Sequence, residues 1–193
     1  MPRIEFEGQT PLVLVGDSHL ARFDGGRIAA LEFALDRRVV VHNHAIGGTN
    51  SADLVERAPA EAAIRGASFV ISVGTNDLAP WKRVPPAEFA ANAATLLDVL
   101  GGRRCVVVLP PTVDEASQAR SHGELGRTNA LVAEYGGLLA RVSGEAGAPV
   151  VDLAALLAAE RDVHEADGVH LNRHGYALLA GAIAAAVKRL VAD

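Results

Sequence analysis

The chain has few aromatic residues, which make up 4% of its 193 residues, although half of the residues are hydrophobic. Its core must therefore be filled mainly by Ala, Val and Leu. A chain of this length buries roughly 70% of the surface that it exposes when unfolded, so it can support a core without disulfides or metals. The charged share of 21% is typical of a globular protein and not of a disordered one.

The sequence contains a single cysteine, Cys105, which excludes an intramolecular disulfide. This cysteine lies in an apolar run and is expected to be buried and unreactive. No run approaches the roughly 18 apolar residues that a membrane span needs. Residues 1–8 lack the basic start and the apolar stretch of a signal peptide, which predicts a cytoplasmic protein, although removal of a leader would leave the same pattern.

The chain also lacks a basic patch, since its formal net charge is −5. Its basic residues form pairs and not runs, as at Arg37-Arg38, Lys82-Arg83 and Arg103-Arg104. Such a chain receives no general electrostatic help in binding nucleic acid or anionic membranes. We therefore expect no nucleic-acid partner.

Five short apolar runs alternate with segments of helical periodicity. Such runs are typical of strands with both faces covered, and the alternation predicts one parallel α/β sheet with helices on both sides, in a single domain spanning residues 1–193. The predicted strands are 11–15, 39–41, 68–73, 104–109 and 149–152. The predicted helices are 19–35, 53–64, 87–100, 125–142, 154–160 and 173–191, with a candidate break at Gly25-Gly26 and a polar loop at 113–124.

Polar, glycine-containing clusters follow the predicted strands. Gly16-Asp17-Ser18 follows the first strand, residues 43–50 the second, Gly74-Thr75-Asn76-Asp77 the third, and Asp167-Gly168-Val169-His170 comes after the fifth. Ligands of open parallel sheets bind beyond the carboxyl ends of the strands. Acyl transfer needs a serine, a base, a carboxylate that orients the base, and N–H donors for the oxyanion, and these clusters supply all four.

The four clusters resemble the sequence blocks of the SGNH hydrolases, the GDSL-like lipases and esterases. Gly16-Asp17-Ser18-His19 is similar to Gly-Asp-Ser-Leu, residues 43–48 to Asn-x-x-x-x-Gly, Gly74–Asp77 to Gly-x-Asn-Asp, and Asp167–His170 to Asp-x-x-His. The resemblance spans nearly the whole chain and implies a three-layer α/β/α sandwich. Its five-stranded, flavodoxin-like parallel sheet would have strand order 2-1-3-4-5.

The resemblance also implies residue roles that suit the chemistry. Ser18 would be the nucleophile, His170 the general base and Asp167 the group that orients the imidazole. The oxyanion hole would consist of the backbone N–H groups of Ser18 and Gly48 and the side-chain amide of Asn76. The more common hydrolase pattern, Gly-x-Ser-x-Gly in mid-chain, does not fit a serine that follows the first strand.

Each motif residue also has a structural interpretation. Ser18 is a favoured type at a helix N-cap, and it can hold both roles. Gly47 competes with Gly48 for the oxyanion role, and both are also ordinary turn residues. Asn76 and Asp77 are typical of an Asx-turn, and Asp77 is expected to be structural.

Several side chains outside the motifs are candidates for contact with substrate. His19 stands where the family usually has leucine, and it either packs in the core or contacts substrate beside the nucleophile. Trp81 follows the Asn76 cluster, and Arg120 and His122 lie with Arg127 in or near the polar segment after the fourth strand. These residues either contact an anionic or sugar-like substrate or are ordinary exposed side chains.

No cofactor is expected. His42 and His44 have the spacing of a ligand pair, but no nearby carboxylate or cysteine pattern completes a metal site. The sequence thus predicts a serine esterase acting on a small-molecule ester, with short acyl groups such as acetyl as the first expectation. An acyltransferase, a thioesterase or lysophospholipase, and a non-enzymatic anion-binding module remain alternatives, and the oligomeric state stays open.

Overall fold

The five apolar runs form one parallel sheet in the computed structural model, which describes residues 9–190. The strands are β1 (Thr10–Gly16), β2 (Val39–Asn43), β3 (Ser68–Ser72), β4 (Cys105–Val108) and β5 (Val150–Val151). Every neighbouring pair is parallel, and the order β2-β1-β3-β4-β5 confirms the prediction. Because β1 lies at the centre with β3, the segments that follow these two strands meet at the middle of the carboxyl edge.

Helices cover both faces of the sheet. The helices are α1 (Ser18–Ala21), α2 (Gly25–Ala34), α3 (Ser51–Ala62), α4 (Pro86–Leu100), α5 (Glu115–His122), α6 (Asn129–Glu145), α7 (Leu153–Leu157) and α8 (Arg173–Leu190). Alternate β1 residues face opposite layers, since Val13 and Val15 pack with α3, α4 and α6, whereas Leu12 and Leu14 pack with α2, α7 and α8. This arrangement confirms the predicted α/β fold with two covered sheet faces.

The polar segment 113–124 is not a loop as predicted, because it contains α5 and a 3₁₀ turn at Gly123–Leu125. The Asp114 carboxylate accepts the backbone N–H groups of Ala116 and Ser117 at 3.0 and 3.2 Å, which starts the helix. Gln118 is buried on the inner face of α5, but it is polar, and its side chain hydrogen-bonds to the backbone of Asp167 and Arg127. The helix therefore carries little of the hydrophobic periodicity by which helices are recognised.

Two other helix predictions shift for reasons of capping. The predicted helix 19–35 is interrupted near the Gly25-Gly26 pair, but the break falls at residues 22–24. Asp24 accepts the Arg27 N–H at 2.9 Å, so α2 begins at Gly25. Thr128 accepts the Leu131 N–H at 3.3 Å, so α6 begins at Asn129 and not at 125. The remaining boundaries differ by a few residues, as is usual for helix and strand ends.

The two chain ends are not described by the structure. Residues 1–8, which were compared with a signal peptide, and position 191, where the last helix was expected to end, lie outside the described residues. Among residues 9–190, none of the helices combines the length and the apolar character that crossing a bilayer requires.

Candidate active site

A cleft of about 550 Å³ opens at the carboxyl edge of the sheet. Segments that follow β1, β2 and β3 line it together with α5 and the loop before α8. The lining residues are Ser18, Ala21, Arg22, Gly47, Gly48, Thr75, Asn76, Gln118, His122, Arg127, Asp167, Val169 and His170. Residues from all four sequence clusters therefore meet in one place.

Ser18 sits at the start of α1 because of the two residues before it. Gly16 has φ +145°, and a Cβ at this position would come within 2.1 Å of the Ser72 carbonyl oxygen, so only glycine fits. The Asp17 carboxylate accepts the His19 N–H at 3.0 Å and caps α1. Together these contacts turn the chain sharply out of β1 and place Ser18 in the cleft.

Ser18, His170 and Asp167 form a continuous hydrogen-bonded line. Ser18 Oγ lies 2.9 Å from His170 Nε2, and His170 Nδ1 lies 2.5 Å from Asp167 Oδ2. Partial burial would raise the pKa of Asp167, but hydrogen bonds from the His170 ring and from the Val169 and His170 N–H groups outweigh it and lower the pKa to about 2. The Asp167 carboxylate is therefore ionised at neutral pH and is aimed at the imidazole.

The loop that carries Asp167 and His170 is tied down on both sides. Gly168 has φ +72°, and its carbonyl accepts the Asp114 N–H at 2.8 Å. Gln118 of α5 donates from its side-chain amide to the Asp167 carbonyl at 2.6 Å. The Glu165 N–H donates to the His170 carbonyl at 2.7 Å, which closes the loop on itself. The acid and the base are thus positioned by a rigid support.

Residues that carry candidate hydrogen-bond donors line the cleft together with His170. Asn76 Nδ2 donates to the Thr49 carbonyl at 2.9 Å, which fixes the amide orientation. Gly47 and Gly48 both line the cleft, and Gly48 has φ +83°, the left-handed region that favours glycine. Among residues 9–190, the backbone N–H groups of Ser18 and Gly48 have no hydrogen-bond partner.

Two buried acids lie behind the cleft. Asp17 is fully buried, and its Oδ1 accepts the Ser72 hydroxyl at 2.9 Å in addition to the His19 N–H. Burial raises the pKa of Asp17 to about 6 and also raises the pKa of Asp77. The Asp77 carboxylate accepts the Ser51 N–H at 2.8 Å, so it joins the β3 segment to the start of α3.

The four candidate substrate contacts fall in different surroundings. His19 is fully buried and does not line the cleft, and burial lowers its pKa to about 3. His122 lines the cleft and stacks on the Trp81 ring with centroids 4.6 Å apart. Trp81 itself is half-exposed beside the cleft. Arg120 does not line it, and its guanidinium donates to the Ser117 hydroxyl at 2.6 Å.

Other lining residues were not singled out from the sequence. Arg22 follows Ser18 by four residues, about one helical turn, and this spacing was an available signal. Its guanidinium forms an ion pair with Glu165 at 2.7 Å. Gln118 carried no signal because its segment was predicted to be a loop. For Arg127 the sequence left open contact with an anionic or sugar-like substrate and an ordinary exposed position.

Within residues 9–190, one group of side chains has ligand atoms close enough together for a metal, namely Glu165, Asp167 and His170. Asp167 and His170 hydrogen-bond each other, and Glu165 forms the ion pair with Arg22, so these donors already have partners. His44 contacts the Glu61 carboxylate at 2.7 Å, a neighbour from α3 that local sequence did not indicate. These contacts fit a proton-transfer site better than a metal centre.

A parallel α/β sheet with serine, histidine and aspartate at its carboxyl edge is an architecture of hydrolytic enzymes, and sequence comparison identifies which. The profile of the GDSL-like Lipase/Acylhydrolase family matches residues 14–178. The chain belongs to this family, as the sequence blocks predict. It is therefore a hydrolase that acts on ester bonds.

Two curated proteins are similar to this chain. The GDSL esterase/lipase CPRD49 of Arabidopsis thaliana is 29% identical over 200 residues, covering 92% of this chain and 78% of the relative. The isoamyl acetate-hydrolyzing esterase 1 homolog of Bos taurus is 29% identical over 192 residues, covering 85% of this chain and 76% of the relative.

Solved structures share the fold. The lipase/acylhydrolase from Enterococcus faecalis superposes with a TM-score of 0.84 at 24% identity, covering 94% of this chain and 96% of that one. Est24, a carbohydrate acetylesterase from Sinorhizobium meliloti, has a TM-score of 0.75 at 18% identity, covering 94% of this chain and all of that one. At these identities the likeness concerns the fold alone.

Proposed function

We propose that the protein is a serine esterase that hydrolyses a carboxylic ester through an acyl-Ser18 intermediate. The observation that carries this proposal is the pair of hydrogen bonds from Ser18 Oγ to His170 Nε2 and from His170 Nδ1 to Asp167 Oδ2. A serine hydroxyl is a weak nucleophile until a base within hydrogen-bond reach takes its proton. The 2.9 Å contact between Ser18 and His170 meets that requirement.

His170 takes the Ser18 proton as Oγ attacks the acyl carbon, and then gives it to the departing alkoxide. A second cycle with water releases the acid and restores the hydroxyl. Asp167, ionised because its pKa is about 2, holds the imidazole in one tautomer and stabilises its charged form. The hydrogen bonds that secure the Asp167 loop keep both groups in position through the two cycles.

The tetrahedral oxyanion binds to three donors in this proposal. They are the Ser18 N–H, the Gly48 N–H and the Asn76 side-chain amide. The two backbone groups have no other hydrogen-bond partner among residues 9–190. The amide nitrogen of Asn76 has two hydrogens, and its bond to the Thr49 carbonyl uses one of them. Donors fixed in advance are the main source of stabilisation for a developing oxyanion.

The favoured substrates are esters of short acyl groups such as acetate. The name of one similar protein, an isoamyl acetate-hydrolyzing esterase homolog, supports this choice. A cleft of about 550 Å³ is within the usual range for small-molecule sites. A thioesterase, a lysophospholipase or an acyltransferase would use the same acyl-enzyme, whereas an anion-binding module would not need the aligned Asp167 and His170.

The test compares p-nitrophenyl ester hydrolysis by the wild type, Ser18→Ala and Ser68→Ala, with acyl chains from acetyl to decanoyl. Ser68 begins β3 at the opposite edge of the sheet and serves as the matched control. The Ser18 variant should lose on the order of 10⁶-fold in kcat, by analogy with another serine hydrolase. A fluorophosphonate should label the wild type and the control at Ser18.

Activity near the wild-type value in Ser18→Ala, or labelling at another residue, would remove Ser18 from the nucleophilic role. The chain-length profile decides the size of the acyl group, and an optimum at decanoyl would contradict the short-chain assignment. Adding an alcohol acceptor separates hydrolysis from transfer. If the acylated acceptor formed in excess over the free acid, the protein would be a transferase.

A further inference from the structure

One cation in the cleft wall is not used by the proposed ester hydrolysis. Arg127 lies between α5 and α6, is 8% exposed and lines the cleft beside Asn76. Among residues 9–190 it forms no ion pair. Its two terminal nitrogens have no hydrogen-bond partner in the same range and are not sealed from solvent. Buried charges are usually paired, so an unpaired guanidinium in a cleft requires an explanation.

The structure holds this guanidinium in place. Arg127 Nε donates to the Thr75 carbonyl at 2.9 Å, and the Arg127 backbone N–H donates to Gln118 Oε1 at 3.2 Å. The guanidinium carbon lies 4.7 Å from the centre of the Trp81 ring, a cation–π contact, and Trp81 is stacked in turn on His122. These contacts occupy Nε and one face of the group and leave the terminal nitrogens for another partner.

The other charges of the cleft already have partners. Arg22 is paired with Glu165 at 2.7 Å, and the Asp167 carboxylate is taken up by His170 and two backbone N–H groups. Arginine stays protonated at physiological pH even when burial lowers its pKa, as it does for Arg127. Among the described residues that line the cleft, Arg127 is therefore the cation without a direct ion pair, although the negative charges of Asp167 and Asp17 act on it from a distance. Its planar fork matches carboxylate and phosphate oxygens.

We propose that Arg127 binds an oxyanion of the substrate, a carboxylate or a phosphate, and thereby selects anionic esters. The inference rests on the proposed esterase function and adds the substrate class to it. Arg127 acts here as a specificity-determining residue, since the bond cleaved at Ser18 is the same in charged and neutral esters. The Thr75 carbonyl and the Trp81 ring hold the guanidinium, and Gln118 fixes the Arg127 backbone.

The test measures kcat/KM for three pairs of esters, each of which compares an anionic ester with a neutral analogue. The two carboxylates carry one negative charge, and the phosphate carries about 1.5 to 2 at neutral pH. Mono-4-nitrophenyl adipate against 4-nitrophenyl hexanoate places a carboxylate on the acyl side. 4-Acetoxybenzoate against 4-acetoxybenzamide places it on the alcohol side, and 4-acetoxyphenyl phosphate against 4-acetoxyanisole replaces it with a phosphate. The three pairs thus distinguish the side of the substrate and the kind of oxyanion. Each anionic-to-neutral ratio is determined for the wild type, Arg127→Gln, Arg127→Lys and Arg65→Gln.

In at least one pair the ratio should fall about ten- to a hundredfold in Arg127→Gln, the size expected for a charged hydrogen bond. Arg127→Lys keeps the charge without the fork and should retain part of the preference. Arg65→Gln removes an equal charge from an exposed position near the start of β3, at the opposite edge of the sheet, and should leave every ratio unchanged.

An equal loss on both members of every pair would show that Arg127 only supports the fold, and the proposal would be wrong. If Arg127→Gln does not fold, the wild type and Arg127→Lys decide. The inference is also wrong if the wild type has no higher kcat/KM for the anionic ester than for the neutral ester in any pair. Each kcat/KM is first divided by the rate constant for hydrolysis of the same ester by hydroxide. Failure of the esterase proposal is distinct, because the wild type would then hydrolyse none of the six esters, or Ser18→Ala would hydrolyse them as well.

Discussion

The buried acid beside the nucleophile makes stability depend on pH in a direction opposite to that of most carboxylates. Asp17 is fully buried, and its Oδ1 accepts the His19 N–H and the Ser72 hydroxyl, while Oδ2 has no partner among the described residues. Burial raises its pKa from 3.8 to about 6. The folded protein therefore binds the Asp17 proton more tightly than the unfolded chain does.

The magnitude follows from this pKa difference. The contribution of Asp17 to stability should fall as the pH rises from about 4 to about 6, because over this range the folded state must give up a proton that the unfolded chain has already released. Buried His19, whose pKa is lowered to about 3, acts in the opposite direction in both proteins, so the Asp17 effect is taken from the difference between them. A rise of about two pKa units corresponds to about 3 kcal/mol. Asparagine has nearly the same shape, still caps α1 and never ionises, so Asp17→Asn should remove this contribution.

The measurement is the free energy of unfolding by urea at pH 4, 5, 6, 7 and 8 for both proteins. The difference between Asp17→Asn and the wild type should be near zero at pH 4 and rise to about 3 kcal/mol in favour of the variant at pH 8. Asp98→Asn, at an exposed position of α4, makes the same charge change and controls for net charge. A difference that is constant with pH, or that favours the wild type at pH 8, would refute the reasoning.

Three further outcomes are expected. Asn76→Ala should lower kcat for p-nitrophenyl acetate about 10²–10³-fold through the loss of an oxyanion donor, and an effect confined to KM would instead indicate a binding role. Gly168→Ala should lower the free energy of unfolding by about 1–3 kcal/mol or more and reduce esterase activity. The reason is that φ is +72° and the new Cβ would lie 2.7 Å from the Asp114 carbonyl oxygen. Equal melting temperatures of the variant and the wild type would contradict this. Cys105 is fully buried, and burial raises the pKa of its thiol to about 12. A thiol reagent should therefore modify Cys105 only after the protein unfolds. Rapid modification of the folded protein would show instead that β4 is accessible.

Much of the fold was predictable because the strands are short apolar runs between polar stops. Because both faces of this sheet are covered, each strand is a continuous apolar run, and this run can be recognised without knowing which strands lie beside it. The candidate catalytic residues were predictable for a related reason. Asp167 and His170 lie three residues apart in one loop, and Ser18 follows directly from the first strand.

The errors occur where structure depends on polar contacts between distant segments. Segment 113–124 was predicted to be a loop, because α5 is held by Asp114 and by the hydrogen bonds of Gln118 and not by an apolar face. For His19 the sequence left core packing and substrate contact open, and the packing around β1 decides for full burial. Apart from the Asp114 cap, local patterns carry little of this information, since propensity is a weak guide once tertiary contacts dominate.

The amino-acid sequence by itself determined the strands, the four polar clusters and the family to which they belong, because each of these is written in a few neighbouring residues. Only the tertiary structure decided which other side chains line the cleft. Arg127 reaches the site through a hydrogen bond to Thr75, 52 residues earlier, and Gln118 through one to Asp167, 49 residues later. The folded chain brings the two atoms of each hydrogen bond within 3 Å, and in this way it places the charge of Arg127 at the cleft.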